Sequence, residues 1–134
     1  MKSPVVLALS LALSGCVAEA TDSRPVVVGA DTGLLIVDWS ISGYQDPALC
    51  RQSDADVVNI AVETSDGDFV GEFEDACEAF STSIELTPDD YFANALLLDP
   101  SGSARTTAVD LGYFQIFGND ELVVPIDFPS DSFF

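Results

Sequence analysis

Histidine is absent from this chain, and lysine and arginine together number 4 among its 134 residues. The missing imidazole removes the usual general base and the commonest metal ligand. A serine nucleophile would have only carboxylates to activate it. So few cations leave no basic patch to meet phosphates, which argues against nucleic acid as a partner. The same shortage disfavours folding back of the body onto an anionic membrane. Cysteine is scarce at 3 residues and never spaced as Cys-x-x-Cys, so a redox role is disfavoured. No apolar run reaches the roughly 20 residues that a spanning helix needs. No sustained helical period, internal repeat or low-complexity tract stands out. Together these absences lead us to expect no enzyme.

What the chain has in excess is acid. Aspartate and glutamate number 23, for a formal charge of −19. They are scattered along the chain, as on a solvated, salt-tolerant surface that resists association.

The N-terminus carries the sharpest local signal. A lone Lys2 precedes an apolar run from Pro4 to Leu13, then the small residues Ser14 and Gly15, then Cys16. A basic start, a short apolar core and small residues before a break make a secretory signal. The tetrad Leu13-Ser14-Gly15-Cys16 resembles the lipobox of bacterial lipoproteins. In those proteins cleavage before the cysteine is coupled to acylation of its thiol. The resemblance implies a signal peptide over residues 1–15 and a lipidated Cys16. An ordinary signal peptide that happens to hold a cysteine is the alternative. A diacylglycerol with a further acyl chain anchors far more firmly than one chain alone. Val17 after the cysteine favours the outer membrane by the enterobacterial sorting pattern. Loss of Lys2 with the signal leaves Arg24, Arg51 and Arg105 against 23 acids, a side-chain charge of −20. Residues 16–32 read as an acidic tether, with Val26-Val27-Val28 able to pair as a short edge strand. Negative charge helps such a tether stay extended.

From residue 33 onward the pattern is that of strands. Gly33–Ser42 places Leu35, Val37, Trp39 and Ile41 on one face, with Trp39 expected in the core. Ser42–Ala55 reads as a connection with turn formers Gly43, Asp46 and Pro47. Val57–Glu63 alternates again. Asp66-Gly67-Asp68 then leads into Phe69–Phe73, a hairpin signal of Asp-Gly between alternating runs. Ala79–Leu86, Tyr91–Leu98, Ala104–Leu111, Tyr113–Phe117 and Glu121–Phe128 follow, with Pro88-Asp89-Asp90, Asp99–Gly102 and Gly118-Asn119-Asp120 as turns. Glu72–Phe80 is the one helix-like stretch, read here as strand. The consecutive Leu96-Leu97-Leu98 suggests burial on more than one side. Turn signals every 8–12 residues predict an all-β, largely antiparallel sandwich of about seven to eight strands over residues 33–134. With Cys16 acylated, Cys50 and Cys77 remain. Two cysteines in an exported chain read as one disulfide.

Val37-Asp38-Trp39-Ser40-Ile41, Asp46–Cys50, Cys77–Ser83, Tyr91, Leu98-Asp99, Gly102, Ile126–Pro129 and Ser132-Phe133 together are similar to the small β-sandwich lipoproteins of myxobacterial and related envelopes. That resemblance implies an immunoglobulin-like or transthyretin-like fold and no catalytic residues. This chain has Asp89-Asp90 where a glycine is common before the tyrosine. Aspartate tolerates left-handed backbone, so the turn is expected to survive.

Among site candidates, Ca²⁺ comes first, since oxygen ligands at alternating positions suit it. Asp54 with Asp56 and Asp66 with Asp68 are the pairs to examine, and Asp89 with Asp90 is a third. None has EF-hand spacing, and Asp66-Gly67-Asp68 is equally well explained as a hairpin turn. Tyr113-Phe114, Phe117, Phe133 and Phe134 either form an exposed aromatic patch or pack as core and tail. The expected role is a lipid-anchored, non-catalytic envelope protein with an unidentified envelope protein or glycan as partner. The alternatives are a Ca²⁺-dependent adhesion or carbohydrate-binding domain, and an accessory subunit of an envelope enzyme or transporter.

Overall fold

A computed structural model describes residues 31–134. The signal segment 1–15, Cys16, nearly all of the tether and Val26–Val28 lie outside the described residues. Seven strands occur among those described: β1 Gly33–Ile41, β2 Val57–Thr64, β3 Phe69–Ala76, β4 Ser81–Leu86, β5 Asp89–Leu98, β6 Val109–Ile116 and β7 Glu121–Phe128. One helix, α1 Pro47–Gln52, and two 3₁₀ turns, Cys77–Ala79 and Ser130–Ser132, complete the set. The strands form two sheets, ordered β4-β1-β7 and β3-β2-β5-β6. The all-β sandwich expected from the alternating runs is therefore present.

The core follows from period-two alternation. In β1, Leu35, Val37, Trp39 and Ile41 are buried and the residues between them are half-buried. Val58, Ile60 and Val62 of β2 and Tyr91, Ala93, Ala95 and Leu97 of β5 meet them from the other sheet's inner face. Trp39 is 1 % exposed, and its indole N–H donates to the Cys77 carbonyl at 2.9 Å, which satisfies its one polar atom. Its ring lies 6.5 Å from that of Phe80. Tyr91 stacks on Phe114 at 5.7 Å and donates its hydroxyl to the Thr87 carbonyl at 2.6 Å. That is the bond a tyrosine corner makes back to upstream backbone in Greek-key sandwiches.

Cys50 and Cys77 are bonded and fully buried, with Cα atoms 6.1 Å apart. The bridge joins α1 to the 3₁₀ turn that follows β3. The hairpin at Asp66–Asp68 also forms: the Gly67 N–H donates to the Thr64 carbonyl, and Gly67 takes φ +91°. Few residues but glycine reach that angle without strain.

Several expectations need correction. The connection Ser42–Ala55 contains α1, because Asp46 caps it and Pro47 opens it. The Asp46 carboxylate accepts from the Ala48 N–H at 3.0 Å. Ala104–Leu111 and Tyr113–Phe117 are not two strands. A single strand, β6, takes in the last three residues of the first and most of the second, and its register with β5 shifts beside Gly112, at φ +80°. Before it, residues 99–108 are irregular, touching β5 through the isolated bridge of Leu98 with Ala104. The strand expected from Ala79 begins at Ser81, since Cys77–Ala79 is a 3₁₀ turn and Phe80 sits at φ +58°. The hairpin's second strand runs on to Ala76, beyond Phe73. Asp89 and Asp90 open β5 and are not left-handed. Leu97 is buried while Leu96 and Leu98 are half-buried, so the leucine run alternates like its neighbours. The β1–β7 pair is parallel; the other strand pairs are antiparallel.

Candidate functional site

The backbones of Asp54, Asp56 and Asp68 carry structural hydrogen bonds. Asp54 stands just past the C-terminus of α1 at φ +55°. Its N–H donates to the Arg51 carbonyl, and the Ala55 N–H donates to the Cys50 carbonyl. These two bonds are the Schellman closure of a helix, whose left-handed residue is usually glycine. Asp56 joins three elements through backbone: its N–H donates to Leu98 and its carbonyl accepts from Cys77. Asp54 and Asp56 border an open depression of about 250 Å³ that also contains Arg51 and Glu78. The Arg51 guanidinium lies 3.4 Å from the Glu78 carboxylate there, both largely exposed. A fixed cation in the depression opposes a second one. Asp66 and Asp68 are exposed at the hairpin tip, where the Asp68 N–H donates to the Thr64 hydroxyl at 3.1 Å. Among the described residues no three Asp, Glu or Cys side chains converge on a point that could hold a metal ion.

The buried polar side chains among the described residues are engaged in hydrogen bonds. The Thr106 hydroxyl accepts from the Leu97 N–H, and Ser132 donates to the Pro129 carbonyl. The Asn59 amide donates to Glu72 at 3.2 Å and to Glu74 at 3.0 Å. Asp99 closes the turn after β5: its carboxylate accepts from the Ser101 hydroxyl and from the N–H groups of Ser101 and Ser103. The Ser101 hydroxyl bond, then the Ser103 N–H, hold the Asp99 carboxyl below the usual aspartate range.

The feature that backbone duties do not absorb lies on the outer face of the four-stranded sheet. Strand register sets Phe69 of β3 opposite Glu63 of β2, Glu63 opposite Phe92 of β5, and Phe92 opposite Tyr113 of β6. Residues in register share a face, so these four side chains cross the sheet in one row. Phe69 is 67 % exposed, Phe92 40 % and Tyr113 53 %. The Phe92 and Tyr113 rings pair at 5.7 Å, tilted by 60°. Strand spacing of about 4.8 Å puts Phe69 roughly 10 Å from Phe92. The adjacent row is Glu72, Ala61, Asn94 and Asp110. Beside small Ala61, an open depression of about 340 Å³ is bordered by Glu63, Phe92, Asn94 and Asp110. On the other side Asp90 accepts from the Gln115 amide at 2.9 Å. Partial desolvation, then a hydrogen bond with Asp90, push the Tyr113 phenol above its ordinary value.

No protein-family model matches this chain. No curated protein matches it either. Among solved structures, a leucine-rich repeat protein from Bacteroides thetaiotaomicron aligns with 90 % of this chain at 18 % identity and a TM-score of 0.47. The aligned part is 16 % of that chain. Among the described residues no helix is long and apolar enough to cross a membrane.

The aromatic patch expected from the C-terminal half divides between face and core. Phe114 is buried against Tyr91, and Phe133, half-buried, lies in the segment that bridges to Thr106. Phe117 and Phe134 are exposed but outside the row. Tyr113 alone joins the face, with Phe69 and Phe92. Those two partners were legible in part: each breaks the polar side of an alternating strand with a large aromatic.

Proposed function

We infer that this chain is a lipid-anchored, non-catalytic protein of the bacterial envelope, displaying a disulfide-bonded β-sandwich. The observation that carries the reading is the tetrad Leu13-Ser14-Gly15-Cys16 behind a short apolar run. The buried Cys50–Cys77 bridge supports it, since such bonds persist in oxidising compartments outside the cytosol. The anchor sits in the outer membrane on this reading, with the sandwich held away from the bilayer by the tether.

The test is the mass of the protein purified from its native membrane. Expected is a chain beginning at Cys16 and carrying a diacylglycerol with a further acyl group. A mature chain with an unmodified N-terminus overturns the reading. So does a Cys16→Ser variant that still partitions with membranes.

A further inference from the structure

We propose that the outer face of the β3-β2-β5-β6 sheet docks an arginine-bearing segment of a partner protein along the row Phe69, Glu63, Phe92 and Tyr113. The proposal deepens the display reading by naming the chemistry of what is displayed to.

The row does little for the fold. The core is filled by the inner faces, and Phe69 and Tyr113 are more than half exposed. Exposed aromatics in line on a sheet face are unusual beside the polar residues that normally meet water there. Their surroundings then select the ligand. Aromatic ring faces carry negative electrostatic potential and attract cations. Glu63 lies between two of the rings in register, and Glu72, Asp90 and Asp110 occupy the neighbouring rows. The basic residues of the described chain are Arg51 on α1 and Arg105 in the irregular segment, so neither β2, β3, β5 nor β6 carries one. Rings and carboxylates thus offer one sign of potential over the whole face.

A guanidinium suits this pattern better than an ammonium. It is planar, stacks on a ring and can bond a carboxylate with two parallel N–H groups. A spacing of roughly 10 Å between ring sites accommodates side chains from alternate positions of an extended peptide, two residues of which span about 7 Å. A second copy of this chain is disfavoured by its own charge of −19. A neutral glycan could stack on the same rings and donate its hydroxyls to the carboxylates, but it lacks the opposite charge that a guanidinium adds to both contacts.

Any protein this acidic attracts cationic peptides at long range, so the test must separate the rings from the charge. The full-length protein in non-ionic detergent is titrated with a labelled octapeptide of alternating arginine and serine, at low and at high salt. The Phe92→Ser/Tyr113→Ser double variant keeps every charge. Each exposed ring–cation contact contributes enough that losing two weakens binding about tenfold. Val123→Ser, at an exposed apolar position on the other sheet, leaves affinity unchanged. The tenfold ratio persists at high salt, where attraction from distant carboxylates is screened. Equal binding by wild type and the double variant overturns the proposal. So does tight binding of a neutral glucan hexasaccharide in place of the peptide. Both variants are melted first, and Phe92→Leu replaces Phe92→Ser if the double variant unfolds. Because the titration does not use the lipid, failure here leaves the anchor reading standing, and the mass of Cys16 tests that reading separately.

Discussion

Cutting the Cys50–Cys77 bridge is the perturbation whose size the structure allows to be worked out. The bond closes a loop with a sequence separation of 27. In the chain-entropy treatment a loop of that size restricts the unfolded chain by about 3.5 kcal/mol. For a domain of roughly 100 residues the entropy of unfolding is about 0.2 kcal/mol per degree near the midpoint, so the melting temperature should fall by about 17 °C. Alanine is the right replacement at both positions, since both are fully buried and serine would bury a hydroxyl.

The loss extends beyond entropy. Cys77 supplies the carbonyl that holds the Trp39 indole, and Cys50 anchors α1 through its carbonyl bond to Ala55. Without the bridge, α1 and the 3₁₀ turn are held by backbone bonds and the exposed Arg51–Glu78 pair, whose contribution is small. Cys50→Ala/Cys77→Ala is made in a Cys16→Ser background, to remove the remaining thiol, and melted by circular dichroism beside its bridged parent. Tryptophan emission reports on the Trp39 surroundings in the same samples. Expected is a fall of 10–20 °C in melting temperature with native strand content kept, on the loop-closure estimate above. A fall of less than about 4 °C would mean that the bridge restrains little in the unfolded chain, and would refute the loop-closure reasoning.

Three further outcomes are expected. Asp54→Gly relieves left-handed backbone at the Schellman position and should raise stability by about 0.5–1 kcal/mol, measured by urea unfolding; a fall would point to a side-chain role for Asp54. The Asp99 carboxyl is held below its ordinary value, so its contribution is present above the unfolded-state value and fades as pH falls through the folded one. The difference in melting temperature between wild type and Asp99→Ala should therefore be constant above about pH 5 and shrink toward pH 2, and a gap that widens in acid would contradict this. Millimolar Ca²⁺ should shift the melting temperature no more than Mg²⁺ does, whereas a site filled at 100 times its Kd would add about 2.7 kcal/mol.

The parts of this architecture that sequence pattern conveys are those with local causes. Leu35, Val37, Trp39 and Ile41 identify β1 and its buried face through alternation alone, and Asp66-Gly67 marks the first hairpin through the backbone angle its glycine supplies. The bridge followed from counting the cysteines that remain once Cys16 is read as a lipidation site and the chain as exported. Errors arose where one residue type serves two purposes. Asp46-Pro47 reads as a turn, but the same pair caps and opens a helix, and tertiary contacts through Cys50 decide between them. Gly112 reads as a break between strands because its left-handed angle ends most strands, yet here it makes an irregularity that β6 absorbs. The parallel pairing of β1 with β7 joins residues nearly the whole domain apart, and no local signal records it. Phe69 and Phe92 were missed for the same reason: their shared row exists only once β3, β2, β5 and β6 are laid side by side.

The chain's extreme acidity and its exposed rings bear on each other. Repulsion among carboxylates keeps copies of such a protein apart, and an exposed apolar row would otherwise invite them together. Charge therefore permits this chain to leave three aromatics in water on one face while staying dispersed. The same charge rejects anionic and self-like surfaces before contact, so the rings are reached by what is positive. On the docking proposal, acidity and aromatic exposure are two stages of one selection: long-range potential admits a class of partner, and short-range stacking on Phe69, Phe92 and Tyr113 discriminates within it.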